Sequence, residues 1–470
     1  MLTSIHAPTP PTAPPSPLRV LRTLAWALAW VLARALVPVG LVGLVALAGC
    51  QRAQPEPDYR YSDRDLFKAL PTLQVAGGPD ALVLHTVANP KADGSHLVLL
   101  VGEPSVPNNG DALLMQHLVS AQPSSAVWYL DTPDALFMER DRVAMRNHSG
   151  DFVPPLMAEA TRQFARITIV TLDVASVPLL RGLRQWQTHA SEAERAKLAH
   201  VVLLYPSLYV NTPVAGRERV LFPIATHTAL PITVFQPELG AQANTIDETV
   251  AALRQGGSLV RLERVAATTD GIYKYANIRA MSAHMAQRLA QADTAMHGER
   301  QKTGFALAAL PPYDASTEPT STIAAGLVPV EGLTLQDIRL KDISGQDVDL
   351  KRDYAGKALL VTFWATWCPH CVEEIPSMNR ALAQMDTDRF AIVSVSYKDT
   401  EAIMKAFQKK VPMSFPVLMD RTGEVSKAWK VYAFPSSFLI DRTGRVRYSI
   451  NTGAVWDAPD VMDKLREISE

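Results

Sequence analysis

The chain is short of cysteine, with three in 470 residues. Structural zinc takes four nitrogen or sulfur ligands, usually from two Cys-x-x-Cys pairs or from one pair with spaced histidines. Only one pair exists, Cys368 and Cys371, and Cys50 lies far upstream. The ligand count therefore argues against a metal centre. An excess of one charge is also missing: 46 basic against 47 acidic residues give a net charge of −1. That removes the bulk electrostatic footprint of a nucleic-acid binder. No internal repeat is present, and the apolar content of 47% is ordinary for globular domains.

What is present is Trp367-Cys368-Pro369-His370-Cys371, directly after the apolar run 358–364. A buried strand would deliver the first cysteine to a helix start, where free backbone N–H groups and the helix dipole stabilise a thiolate. The second cysteine, one turn on, can close a disulfide with it. A bridge across so short a loop removes little chain entropy, so the pair reads as a site of thiol–disulfide exchange. Cys368 is the expected attacking thiolate and Cys371 the resolving thiol. His370, if partly protonated, would lower the pKa of Cys368; the alternative is a solvated side chain with little influence.

The first 50 residues are read as lying outside the fold. A Pro-rich start, basic residues Arg19, Arg22 and Arg34, and an apolar run over 35–48 have the layout of a secretory signal. Leu47-Ala48-Gly49-Cys50 resembles a bacterial lipobox, which implies acylation of Cys50 as the mature N-terminus. The other reading is an uncleaved membrane anchor over 24–47, interrupted by Arg34. Either places the redox site outside the cytoplasm, on the periplasmic face of a bacterial membrane. Gln51 after the cysteine leans toward the outer membrane.

The length allows two or three domains. A stretch rich in Pro, Ser and Thr marks a linker over 301–327. It separates a 60–300 domain from a 328–470 domain. The latter alternates strands and helices: a strand pair over 333–340 and 347–350, then strands at 358–363, 390–397 and 416–419, and a hairpin of 438–441 with 446–450. Helices are expected at 368–385, kinked by Pro376, at 400–409 and at 459–469.

Residues 328–470 resemble the TlpA/ResA class of thioredoxin-like proteins. The resemblance rests on Phe363 to Cys371, Glu374-Ile375-Pro376, Phe434 to Asp441 and the early strand pair. It implies a thioredoxin-like α/β fold and a membrane-tethered thiol–disulfide oxidoreductase with no cofactor. The expected partners are a disulfide-containing extracytoplasmic protein and a membrane thiol electron donor. It also implies that Glu374 tunes the thiols, that Trp367 shields Cys368 and contacts substrate, and that Pro435 is cis and faces the disulfide. Pro369 and His370 tune the pair. The direction of exchange stays open, since Pro-His between the cysteines also occurs in disulfide donors. A peroxidase is the weaker alternative: in the pattern P-x-x-x-T-x-x-C ending at Cys368, Val361 and Ala365 replace Pro and Thr.

The 60–300 domain has strands expected at 81–87, 96–101, 127–130, 167–171, 201–205, 232–235 and 259–264, the first two paired with each other. Helices are expected at 111–121, 155–165, 191–200, 246–255 and 277–292. The rhythm is that of a parallel α/β sheet, and it faintly resembles a degenerate α/β-hydrolase. Where the G-x-S-x-G elbow would stand, the chain reads Thr171-Leu172-Asp173-Val174-Ala175-Ser176. Asp173 takes the nucleophile position, but no histidine follows the last strand until His284. A binding or docking module that presents the redox domain is the better reading.

Overall fold

The computed structural model describes residues 65–470 except 77–80, 90–93, 212–213, 275–276 and 323–325. The expected signal segment and Cys50 lie outside the described residues. Tyr61–Glu470 forms one compact unit built on two sheets. Among the described residues no helix is long and apolar enough to cross a membrane.

The first sheet contains β1 (Thr72–Ala76), β2 (Ala81–Ala88), β3 (His96–Val101), β4 (Ser125–Leu130), β5 (Arg166–Leu172), β6 (Leu198–Leu204), β7 (Pro231–Pro237) and β8 (Leu259–Val265). Their spatial order is β1-β2-β4-β3-β5-β6-β7-β8. β2 runs antiparallel to β1 and β4, and the rest are parallel. The expected pairing of 81–87 with 96–101 is therefore corrected: β4 lies between them. Every residue of β3 is buried, as a central parallel strand covered on both faces requires. Alternate β3 residues feed two cores, Leu97, Leu99 and Val101 one and Val98 and Leu100 the other. The helix expected at 191–200 is shorter, Glu192–Lys197, and β6 begins at once. The helix expected at 277–292 runs on to Thr303.

The second sheet contains β9 (Val328–Pro329), β12 (Ala358–Trp364), β13 (Phe390–Tyr397), β14 (Val417–Asp420), β15 (Ser436–Ile440) and β16 (Val446–Ile450); β10 (Arg339–Lys341) and β11 (Asp347–Asp349) make a separate hairpin. The order is β14-β13-β12-β15-β16-β9, with β12, β13 and β14 parallel, β15 antiparallel to β12, and β16 antiparallel to both β15 and β9. β12 is buried throughout. Leu360 and Trp364 enter the core that holds the cysteines, and Leu359, Val361 and Phe363 the opposite one with Trp429 and Phe438.

The two sheets are joined directly. Lys398 Nζ donates to the Glu238 carbonyl at 3.1 Å, and Asn244 Nδ2 to the Gly423 carbonyl at 3.1 Å. Lys430 pairs with Glu218, and Ala215 enters the core beneath β12. Gly216 has φ +81°, and a Cβ there would lie 2.5 Å from Leu333; only glycine permits both the conformation and the approach.

The chain between the sheets is tied to the first of them. Glu318 forms a buried pair with Arg181, at 2.5 Å and with side chains 2% and 4% exposed. It also accepts the Ile224 N–H at 2.7 Å and the Tyr313 hydroxyl. Replacing Glu318 by Ala strands the buried guanidinium, so the first half should lose about 3–5 kcal/mol. Urea unfolding followed by Trp fluorescence checks this; an unchanged midpoint refutes it.

Candidate active site

β12 ends at Trp364, and the turn 365–368 leads into a helix, Pro369–Leu382. Cys368 is the N-cap: its backbone is extended, and its Sγ accepts the Cys371 N–H at 3.3 Å. A proline at the first helical position fits, since that N–H would lack an intrahelical partner anyway. Cys368 and Cys371 are joined as a disulfide. Both are buried, at 6% and 2% exposure, Cys368 being the slightly more exposed residue. The helix continues through Pro376.

Glu374 is buried, at 3% exposure. Its Oε1 accepts the Ala454 N–H and, at 3.2 Å, the Trp456 indole N–H. Oε2 has no partner among the described residues. Burial pushes its carboxyl up to about 8, against the pull of those two hydrogen bonds. Glu374 and Cys371 line one small recess with Thr362, Trp364, Ser394 and Met413. Thr362, on the strand before the motif, accepts the Ser437 hydroxyl at 2.8 Å. Ala454 and Trp456, which hold Glu374, carry no motif; only the eighty-residue return of the chain brings them there.

Phe434–Pro435 is a cis peptide immediately before β15. The Phe434 ring meets Trp367 edge-on at 5.8 Å and Tyr397 at 4.7 Å, making an aromatic rim around the disulfide. Trp367 is half-buried, whereas Trp364 is 3% exposed and packs in the core. His370 is turned to solvent with its side chain 76% exposed, and its Nδ1 lies 3.2 Å from Glu373 Oε2. Pro369 is exposed beside it.

In the first half, Asp173 directly follows β5 with φ +46° and precedes a helix, Ser176–His189, which the sequence reading did not include. Both carboxylate oxygens are engaged by Arg142, one at 2.9 Å. Asp270, in the turns after β8, has its carboxyl pushed up to about 7 by burial, with the Asp173 charge adding to the shift. No histidine stands between β8 and His284.

The AhpC/TSA family matches residues 332–449. The chain is similar to the thiol-disulfide oxidoreductase ResA of Geobacillus thermodenitrificans, 33% identical over 137 residues, covering 29% of this chain and 77% of that one. ResA of Bacillus thuringiensis subsp. konkukian is 36% identical over 105 residues, 22% of this chain; the chain spans 60% of that relative's length. Among solved structures, a putative thiol:disulfide interchange protein DsbE from Chlorobium tepidum is 27% identical, with 30% of this chain and 100% of that one covered, at a TM-score of 0.29. The family match falls on the second sheet and its helices. By its likeness to the ResA of Geobacillus thermodenitrificans the chain belongs to the thioredoxin-like family of ResA-type thiol–disulfide oxidoreductases.

Proposed function

We propose that the protein is an extracytoplasmic, membrane-anchored thiol–disulfide oxidoreductase that reduces disulfides in partner proteins through Cys368 and Cys371. The observation that carries this reading is the cysteine pair at a helix N-terminus beside a buried acid, Glu374, whose carboxyl burial pushes up to about 8. The Cys368 thiolate attacks one sulfur of the partner disulfide. The first partner sulfur leaves and takes a proton, and a mixed disulfide remains. Cys371 gives its proton to the Glu374 carboxylate and attacks Cys368, releasing the second partner sulfur. Two electrons have passed to the partner, and a membrane thiol donor restores the dithiol. When that donor attacks Cys368, Cys371 is the leaving group, and protonated Glu374 can return the proton.

The orientation of His370 supports the reducing direction. An imidazolium aimed at Cys368 would stabilise the thiolate and make the couple oxidising; here the ring is solvated and paired with Glu373. The AhpC/TSA match does not favour a peroxidase, because Val361 and Ala365 stand where that chemistry needs Pro and Thr. Cys50 would carry the lipid anchor, with the redox domain on the periplasmic side and the outer membrane favoured. For the first half we propose a docking role on a hydrolase-like scaffold. A cleft of ≈ 410 Å³ at the junction, lined by Glu238, Asn244, Asp247, Arg264, Lys398 and Lys427, supports it, since ligand sites favour such boundaries.

Two measurements test this. Against a glutathione series the pair should equilibrate near about −270 mV, and Cys371→Ser should trap a mixed disulfide with substrate. A potential near about −120 mV would instead make it a disulfide donor. The second concerns Glu374. The unfolded carboxyl loses its proton near pH 4.5 and the folded one near 8, so stability falls as pH rises through that window. In Glu374→Gln the loss, on the order of 4 kcal/mol, should vanish. Melting temperatures of the oxidised proteins from pH 4 to 9 that run parallel would exclude it.

A further inference from the structure

We propose that Asp399 is a positioning residue of the redox site: it pins the turn that presents Cys368, and its charge holds the acidity of that thiol down. The proposal rests on Cys368 and Cys371 being the reacting pair. In the parallel register Trp364 of β12 lies opposite Ser396 of β13, so the turns that follow the two strands are neighbours. Asp399 stands in the second turn and is 3% exposed. Its Oδ2 accepts the Thr366 backbone N–H at 2.9 Å and the Ser396 hydroxyl at 2.7 Å, and its Oδ1 accepts the Thr366 hydroxyl at 2.6 Å.

Two of these three bonds go to one residue, two positions before Cys368. The turn is already tight, with the Cys368 N–H donating to the Ala365 carbonyl at 3.2 Å. Asp399 therefore fixes the middle of the segment whose end is the helix N-cap. Among the described residues no cation pairs with it. Lys398, adjacent in sequence, directs its ammonium instead to the Glu238 carbonyl and over the Tyr397 ring at 5.1 Å. The other acid beside this turn, Asp420, is bonded by Ser426 N–H and hydroxyl at 2.8 and 2.7 Å, and Glu374 approaches the pair from the helix side. A buried carboxylate held only by neutral donors is costly to keep, and here those donors belong to the active-site turn.

Lys398 adds a strut. Its φ is +57°, and through Glu238 it anchors the Asp399 turn to the end of β7. The first half thus braces the redox turn from behind.

The Asp399 charge, bonded to Thr366 two residues before Cys368, opposes thiolate formation by on the order of one pH unit. In the full chain, Asp399→Asn should lower the Cys368 thiolate midpoint by that amount, read as the pH profile of alkylation of the reduced protein. It should also make the potential less negative. Thr366→Val keeps the charge and cuts one tether. It should leave the midpoint in place while reduction of a disulfide-bonded model peptide slows several-fold. A wild-type midpoint and potential in Asp399→Asn, with melting unchanged, overturns the proposal. Should Asp399→Asn fail to fold, Thr366→Val carries the test against Ser396→Ala, which loosens the carboxylate but not the turn. Slower exchange in the former alone supports the proposal, and equal rates overturn it. A wild-type protein that exchanges no disulfide would overturn the reading of the pair itself, which the same control reports separately.

Discussion

A cysteine that caps a helix must be held still and yet be open to attack, and the second sheet is arranged around that conflict. β12 resolves the first half of it. Its alternate residues enter two separate cores, so the strand cannot slide without emptying both, and each large apolar side chain withdrawn would forfeit about 2–3 kcal/mol. The reactive turn hangs from the end of this fixed rod. Openness comes from the other direction: Pro369 and His370 follow into solvent, and Cys368 keeps slightly more exposure than Cys371. The half-buried rings of Trp367 and Phe434 meet edge-on beside this turn, with Phe434 backed by the buried Tyr397.

Both halves contribute the edge at which their parallel strands end. Glu238 follows β7, Lys398 follows β13, and Gly423 lies just past β14; these are the residues that meet across the junction. In open α/β sheets that edge is where ligands bind, because loops there are free to vary while the strands are not. Joining two such edges places the redox face of one sheet beside the variable loops of the other. The docking role proposed for the first half would draw on this edge, where its loops meet those of the redox half.

The redox half was largely legible in the sequence because its strands are unbroken apolar runs and its motif follows one of them without a gap. β12, β13, the terminal helix and the hairpin fall close to where patterning puts them. The strand expected over 333–340 shrank to Arg339–Lys341 because the hairpin is exposed and short, so no burial period marks it. In the first half, apolar runs reveal that a strand is buried but not beside which neighbour, and the pairing of β2 with β4 was misread for that reason. Lys197 to Leu198 passes from helix to strand with no turn residue between, so periodicity alone ran the helix on. The burial of Glu374 was invisible: its position on the helix is in the sequence, but the surroundings that raise its pKa come from Ala454 and Trp456. The same holds for Asp399, whose partner Thr366 is thirty-three residues away.

Asp173 stands where a hydrolase-like scaffold would carry its nucleophile. It sits at the strand-to-helix turn in the left-handed region, with φ +46°, a conformation an aspartate tolerates better than most residues. In an elbow of this kind the side chain is displayed at the carboxyl edge of the sheet. Here the carboxylate is committed at both oxygens to Arg142, and a bidentate charged pair leaves little electron density for attack. No imidazole follows β8 to act as base. Asp270, its carboxyl pushed up to about 7 by burial, stands in the turns after β8 and accepts the Ala241 N–H at 3.1 Å. Held by Arg142 and by the Ala241 N–H, the two carboxyls fix the loops of this edge.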